Sequence, residues 1–377
     1  MLTANKKEFK HLDALRGIMA IYVCLVHFLI LFIINKKNEL VFNDARFIPI
    51  GQIGQVFMTV FFVLSGFLIT YILLIEKEKD HTIHFKKFYL RRAFRILPMY
   101  YLAVFGIYFL YKKACMAISM QGTPFCESLP EHSFYYFAML PNWAHAADKT
   151  LPHISNFWSI GAEEQFYIVW PIILYFTIRY VRTFLSIYIF YSLLLIAMLL
   201  INNLYLHKSN ELFIHVAKFF DYTRFGAFAF GGIIAYLILY DTDTNYDKLK
   251  QFISKKSTQW FCLLFPFFIT IFPSEYVMFL KHIIVIPCCA VLIYNFAQDT
   301  PIFKLENKYW NYIGKISYSL YILNQIVIDI VIKICFGAHI TKPLVVLIIS
   351  ISLLLICSAI TYELIEKPFM KLRRYFG

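Results

Sequence analysis

The chain has 377 residues, of which 60% are apolar, 19% aromatic and only 16% charged, with 36 Lys and Arg against 23 Asp and Glu for a net charge of +13. Soluble domains hold about 45–50% apolar and about 25% charged residues, so water is excluded as the solvent of most of this surface. The positive charge invites a nucleic-acid reading, but repeated apolar runs of about 20 residues make lipid the solvent and place the cations in loops. Disorder, a coiled coil and a small disulfide scaffold are excluded as well, for want of low hydrophobicity, sustained heptads or dense cysteine.

Apolar runs predict ten spans, near residues 14–34, 52–75, 96–111, 164–178, 184–203, 222–240, 259–272, 278–298, 316–335 and 344–362. The third, fourth and seventh are short, as tilted or bundle-enclosed helices are. The first is too long for a signal-peptide core and lacks a small-residue cleavage site. Ten spans place both termini on one side, where about 24 of the 36 Lys and Arg then fall, so the expected fold is an all-α, polytopic bundle of about ten helices with both termini cytoplasmic. The inside cations include Lys6, Lys7, Lys10, Arg16, the run from Lys77 to Arg95, Arg179, Arg182 and the tail from Lys367 to Arg374. A single transmembrane domain over 1–377 is expected, with no appended soluble domain.

The longest polar segment, from about Lys112 to Gly161, holds Pro124, Pro130, Pro141 and Pro152 with several aromatics and reads as an ordered external cover over a site. Cys115 and Cys126 share it and could pair if it faces an oxidising compartment. The other six cysteines lie in apolar runs, where Cys acts as a small hydrophobe, and they suggest no metal site.

Polar residues inside spans carry the functional signal. In the first span Arg16 and His27 are eleven residues apart, which on a helix is three turns with about 20° of offset and about 16 Å of rise. Asp13, Gly17, Ala20 and Cys24 lie near the same stripe, which reads as a small-residue groove with a charge at its mouth and an imidazole at depth. An ionisable group at that depth is a functional candidate, against the plainer role of bonding a neighbouring helix. Ser65-Gly66 interrupts the aromatic run Phe61–Phe67 and permits close helix approach. Arg91, Arg92 and Arg95 form a basic helix start that suits either a multiply phosphorylated ligand or anionic headgroups. The segment Phe157-Trp158-Ser159-Ile160-Gly161-Ala162-Glu163-Glu164-Gln165-Phe166-Tyr167 brings two carboxylates into the fourth span; Ser159 could equally cap its start. In the ninth span the spacing of Asp329 and Lys333 permits a structural ion pair.

Six segments together resemble the membrane-bound acyltransferase family 3, transmembrane O-acyltransferases of bacterial surface glycans. They are His11-Leu12-Asp13-Ala14-Leu15-Arg16-Gly17 through His27, the Phe-Phe-Val-Leu-Ser-Gly-Phe run, Arg91-Arg92-Ala93-Phe94-Arg95-Ile96-Leu97-Pro98, the Trp158–Tyr167 segment, Ile316-Ser317-Tyr318-Ser319-Leu320-Tyr321, and Tyr362-Glu363-Leu364-Ile365-Glu366-Lys367-Pro368-Phe369, in family order. Two positions depart from the pattern: Asn324 stands where a histidine is common, and Thr59 where an acidic residue is common.

The resemblance implies a ten-helix bundle in the bacterial cytoplasmic (inner) membrane. Cytoplasmic acyl-CoA, usually acetyl-CoA, would be the donor and no metal is needed. The acceptor would be a hydroxyl of an envelope or surface polysaccharide, such as lipopolysaccharide or capsule, or of its lipid-linked precursor. Arg16 and His27 are then the essential pair, with His27 as general base or transient acyl carrier. Arg91, Arg92 and Arg95 would hold CoA phosphates; Arg16, steadied by Asp13, would position the pantetheine or diphosphate end. Glu163, with Trp158 and Tyr167, would shape an outer acceptor site. Membrane lipid, acyl-CoA and the glycan acceptor are the expected partners, with no nucleic acid. The competing class is an exporter of a lipid-linked or acylated glycan without chemistry of its own, for which inverted repeats would speak and none is seen.

Overall fold

A computed structural model describes residues 9–37, 48–116, 123–177, 180–204, 210–240, 246–270, 275–298, 300–305 and 307–372. Lys6, Lys7, Arg179, Arg373 and Arg374, counted among the inside cations, lie outside the described residues. Among those residues every regular element is helical and none is a strand. The helices are α1 (Lys10–Lys37), α2 (Ile48–Asp80), α3 (Phe85–Cys115), α4 (Pro124–Phe137), α5 (Pro141–Ala146), α6 (Trp158–Phe176), α7 (Tyr180–Leu204), α8 (Glu211–Thr223), α9 (Phe225–Leu239), α10 (Asp247–Ser254), α11 (Lys256–Thr270), α12 (Glu275–Ala297), α13 (Lys308–Gly337), α14 (Pro343–Thr361) and α15 (Lys367–Leu372). One 3-10 turn (Ser155–Phe157) precedes α6, and one π-helical turn (Tyr362–Glu366) joins α14 to α15.

Among the described residues, seven helical stretches are long and apolar enough to cross a membrane: His11–Lys36, Gly51–Asp80, Phe85–Cys115, Tyr180–Met198, Glu211–Leu239, Lys308–Gly337 and Pro343–Leu372. The protein is an all-α polytopic membrane protein. The three further expected spans fall on α6, α11 and α12, and each of these helices carries an internal proline, Pro171, Pro266 and Pro287. Proline removes one helical hydrogen bond and bends the axis, which suits short segments whose backbone is re-satisfied by protein neighbours.

The described residues form two compact units, the first drawn from those within 1–22, 42–84 and 165–315 and the second from those within 23–41, 85–164 and 316–377. In the first unit α2 and α9 cross at glycines. A Cβ on Gly66 would meet the backbone of Phe228, with Cα at 2.6 Å, and one on Gly231 would meet Val63 O and Phe67 N. Without hydrophobic pressure from water, close backbone approach is what holds helices together in lipid, and the Ser65-Gly66 break supplies it. Around this crossing Phe166 stacks on Phe228 at 4.1 Å, and Trp170 Nε1 donates to Thr70 Oγ1 at 2.7 Å. Lys77 Nζ donates to the carbonyls of Leu174, Tyr175 and Thr177 at 2.8–3.2 Å, closing the C-terminal end of α6 with a cation.

The small-residue stripe of the first span is a helix crossing at its start: a Cβ on Gly17 would meet Trp310 O at 2.6 Å and Gly314 N at 2.8 Å. The expected open groove is therefore filled at Gly17 by the backbone of α13.

The second unit is organised by the segment expected as an external cover. Tyr100 is midway along the 31-residue α3, a helix about 46 Å long. Its hydroxyl donates to Tyr136 O at 2.8 Å, and Tyr101 donates to Phe137 O at 3.2 Å. The end of α4 thus lies against the middle of α3 and not beyond its tip. Tyr136 Oη in turn accepts from Leu151 N at 3.1 Å. A disulfide joins Cys115 to Cys126, closing this arm back onto the end of α3. Buried backbone outside a regular helix needs protein partners, and Tyr100, Tyr101 and Tyr136 supply them here.

Candidate functional site

Within the second unit, a chain of polar groups runs from α1 through α13 to the start of α6. His27 Nδ1 is 2.8 Å from Asn324 Oδ1, and Asn324 Nδ2 donates to Tyr321 O at 2.9 Å. Asn156 Nδ2 donates to the same carbonyl at 2.9 Å, while Tyr321 Oη donates to Asn156 O at 2.7 Å and lies 2.7 Å from Ser159 Oγ. Ser155 Oγ donates to Gln325 Oε1 at 3.0 Å. Asn156, Ser159 and Asn324 are all buried, so each bond is made in a low dielectric where an unmade one would cost about 1–3 kcal/mol. His27 itself is half-buried.

Local sequence explains the arrangement. A Cβ on Gly161 would meet Pro141 Cδ at 2.8 Å and Asn142 Oδ1 at 3.0 Å, so only glycine lets the first turn of α6 lie against α5. Ser159 sits inside that first turn, where its hydroxyl meets Tyr321 instead of serving as the expected cap. Glu163 lies near enough to Tyr318 and Tyr321 for its charge to act on both hydroxyls. Glu164 is the more enclosed carboxylate; its Oε1 is buried, and Glu163 and Arg92 are the charges acting on it.

The basic cluster is half-buried and faces carboxylates. Arg92 lies over the Phe88 ring at 5.7 Å and within electrostatic reach of Glu164, and Arg95 within reach of Glu366. Glu366 is buried by the π-helical turn and accepts the Ser319 hydroxyl. Arg91 is half-buried on the same helix start. Trp158 is buried and stacked on His145 at 6.1 Å, and Tyr167 is buried beside Phe166, so neither offers an open aromatic face.

In the first unit, Arg16 Nη1 meets Asp13 Oδ1 at 3.3 Å, the expected pairing. Sequence reasoning passed over a second cation there. Arg224 is buried in the left-handed conformation (φ 48°) between α8 and α9, inside a candidate span. It donates to Gln55 O and Thr59 Oγ1 at 3.0 Å each, to the Gln55 side-chain carbonyl, and to Asp221 O at 3.3 Å. A non-glycine residue at positive φ persists only where its surroundings hold it, and four acceptors do so here.

Asp329 and Lys333 form the expected ion pair at 2.6 Å, and Asp329 also takes Asn35 Nδ2 at 2.8 Å and His153 Nδ1 at 3.3 Å. Burial holds the His153 imidazole below its ordinary value; Asp329 opposes that shift and Lys333 adds to it.

Residues 9–363 match the family model of the acyltransferase domain, acyltransferase 3. The chain belongs to this acyltransferase family. It is 27% identical over 97% of its length to proteins of Staphylococcus aureus named "Putative O-acetyltransferase", and spans 58% of the length of those relatives. A stretch covering 34% of the chain is 32% identical to the peptidoglycan O-acetyltransferase OatA of Listeria monocytogenes, 21% of which it covers. A stretch covering 32% is 31% identical to YrhL of Bacillus subtilis, named for the same peptidoglycan chemistry, and covers 19% of it. No solved structure matches the chain.

Proposed function

We propose that the protein is an O-acetyltransferase that moves an acetyl group from cytoplasmic acetyl-CoA to a sugar hydroxyl of a bacterial envelope polysaccharide. The observation that carries the reading is an imidazole inside a membrane span, held by a side chain of another helix, in a chain that belongs to an acyltransferase family. The names of the relatives favour a peptidoglycan sugar over the capsule or lipopolysaccharide that the resemblance alone suggests.

Esterification needs a base for the hydroxyl and a site closed to water, which would otherwise hydrolyse the thioester. His27 takes the acceptor's hydroxyl proton as its oxygen attacks the thioester carbonyl. The carbon–sulfur bond breaks, the ester forms, and the proton passes to the departing thiolate, giving CoA thiol. Arg91, Arg92 and Arg95 bind the CoA phosphates at the cytoplasmic face, competing with Glu164 and Glu366 for the cationic groups. Arg16, paired with Asp13, orients the donor, and Glu163 lies toward the acceptor.

The test is transfer of isotope-labelled acetyl from acetyl-CoA to envelope glycan in membrane vesicles containing or lacking the protein. Labelled ester that appears only with the protein supports the reading. Equal labelling in both vesicle types, with acceptor present, overturns it in favour of an export function.

A further inference from the structure

Asn324 has one amide oxygen and one amide nitrogen, and the neighbours decide which faces His27. The nitrogen points at Tyr321 O, 2.9 Å away. Turning the amide over would set its oxygen against that carbonyl, two acceptors in contact with no proton between them. Tyr321 O also takes Asn156 Nδ2, which anchors the carbonyl from the other side of the cluster. Asn324 Oδ1 therefore faces His27 Nδ1, and because an amide oxygen only accepts, the 2.8 Å contact requires a proton on Nδ1.

We infer that Asn324 is a positioning residue that fixes His27 in the Nδ1-protonated tautomer and leaves the Nε2 lone pair as the base. The inference rests on the acyltransferase reading for its purpose, but the tautomer stands independently of it. A histidine in the place of Asn324 can either donate or accept through one ring nitrogen, whereas the asparagine, with its nitrogen already committed, offers only an acceptor. This chain thus assigns by an amide what a second imidazole would leave to the proton balance. The role is orientation, since Asn324 touches no reacting atom: the acceptor proton goes to Nε2 while Nδ1 stays protonated throughout.

The test uses the full chain, with ¹⁵N-labelled histidine, in lipid nanodiscs at about pH 8, above the ordinary imidazole value of about 6.5. Nitrogen spectra separate the two neutral tautomers, and the His27→Gln spectrum identifies the His27 signals by their loss. The expected result is protonated Nδ1 and bare Nε2 in the wild type. Asn324→Leu is expected to lose that preference and to lower kcat about 10²-fold, the scale of a displaced general base, with KM for acetyl-CoA unchanged. Wild-type His27 protonated on Nε2 overturns the inference, as does an Asn324→Leu protein that keeps both tautomer and kcat. If Asn324→Leu fails to fold, the wild-type spectrum decides alone. Absence of any acetyl transfer with the expected tautomer overturns the functional reading and leaves the tautomer assignment in place.

Discussion

The two units treat buried polar side chains in opposite ways. In the first, Arg224 donates to four acceptors of Gln55, Thr59 and Asp221, and Gln259 and Asn295 close a similar local set, with Gln259 Nε2 on Asn295 Oδ1 at 2.9 Å and Asn295 Nδ2 on Ile253 O at 2.9 Å. In the second, His27 meets a single amide from a residue 297 positions away, and the bonds continue through Tyr321 to Asn156 and Ser159. Arg224 is fixed by several acceptors with the Asp221 carboxylate acting on it, whereas His27 is held through one ring nitrogen. Thr59 and Asn324 make the same contrast, because each bonds the polar group of its own unit.

That contrast is breakable in order of effect. His27→Ala should reduce acetyl transfer in vesicles by about 10²–10⁴-fold at unchanged membrane level, the range for a lost general base. An active His27→Ala protein would make the second unit as structural as the first. Gly231→Val should act on the fold instead, because the new side chain runs into Val63 and Phe67 where α2 and α9 cross. Overpacking of this kind costs about 1–3 kcal/mol, read as a lower thermal midpoint in detergent. Thr59→Val removes one of the acceptors around Arg224 and should cost about 1 kcal/mol with acetyl transfer retained. A large loss of transfer at full stability would move Arg224 from scaffold to chemistry.

The smallest expected effect is a pH response at His153. Its folded value is depressed, so the neutral imidazole is the folded form and stability is full above the unfolded value of about 6.5. As pH falls below that, the unfolded chain gains the proton first. The thermal midpoint should drop between about pH 7.5 and about pH 5.5, and His153→Gln should flatten the drop. A rise of the midpoint over the same range would show Asp329 outweighing burial.

Much of the membrane architecture was legible because apolar length is a one-dimensional signal, and the ion pairs Asp13–Arg16 and Asp329–Lys333 were legible because they lie within a helical turn. The partner of His27 was not, since nothing in the spacing of residues 27 and 324 encodes their meeting. Ser159 looked like a cap because the helix start was visible and Tyr321 was not. The polar segment after α3 read as an outer cover; its packing against the middle of α3 depends on Tyr100 and Tyr101 reaching the carbonyls at the end of α4, a long-range fact. Arg224 was overlooked at the edge of an apolar run, where a cation reads as an anchor, while the helix break that buries it is a backbone conformation and leaves no compositional mark.

The most direct test of the central claim is mass spectrometry of envelope glycans from cells carrying the wild type, His27→Ala or no protein, at matched membrane levels. The account predicts a mass gain of one acetyl group per modified sugar in the wild type alone. The same gain in the His27→Ala cells, or identical glycans in all three with the acceptor present, would contradict it.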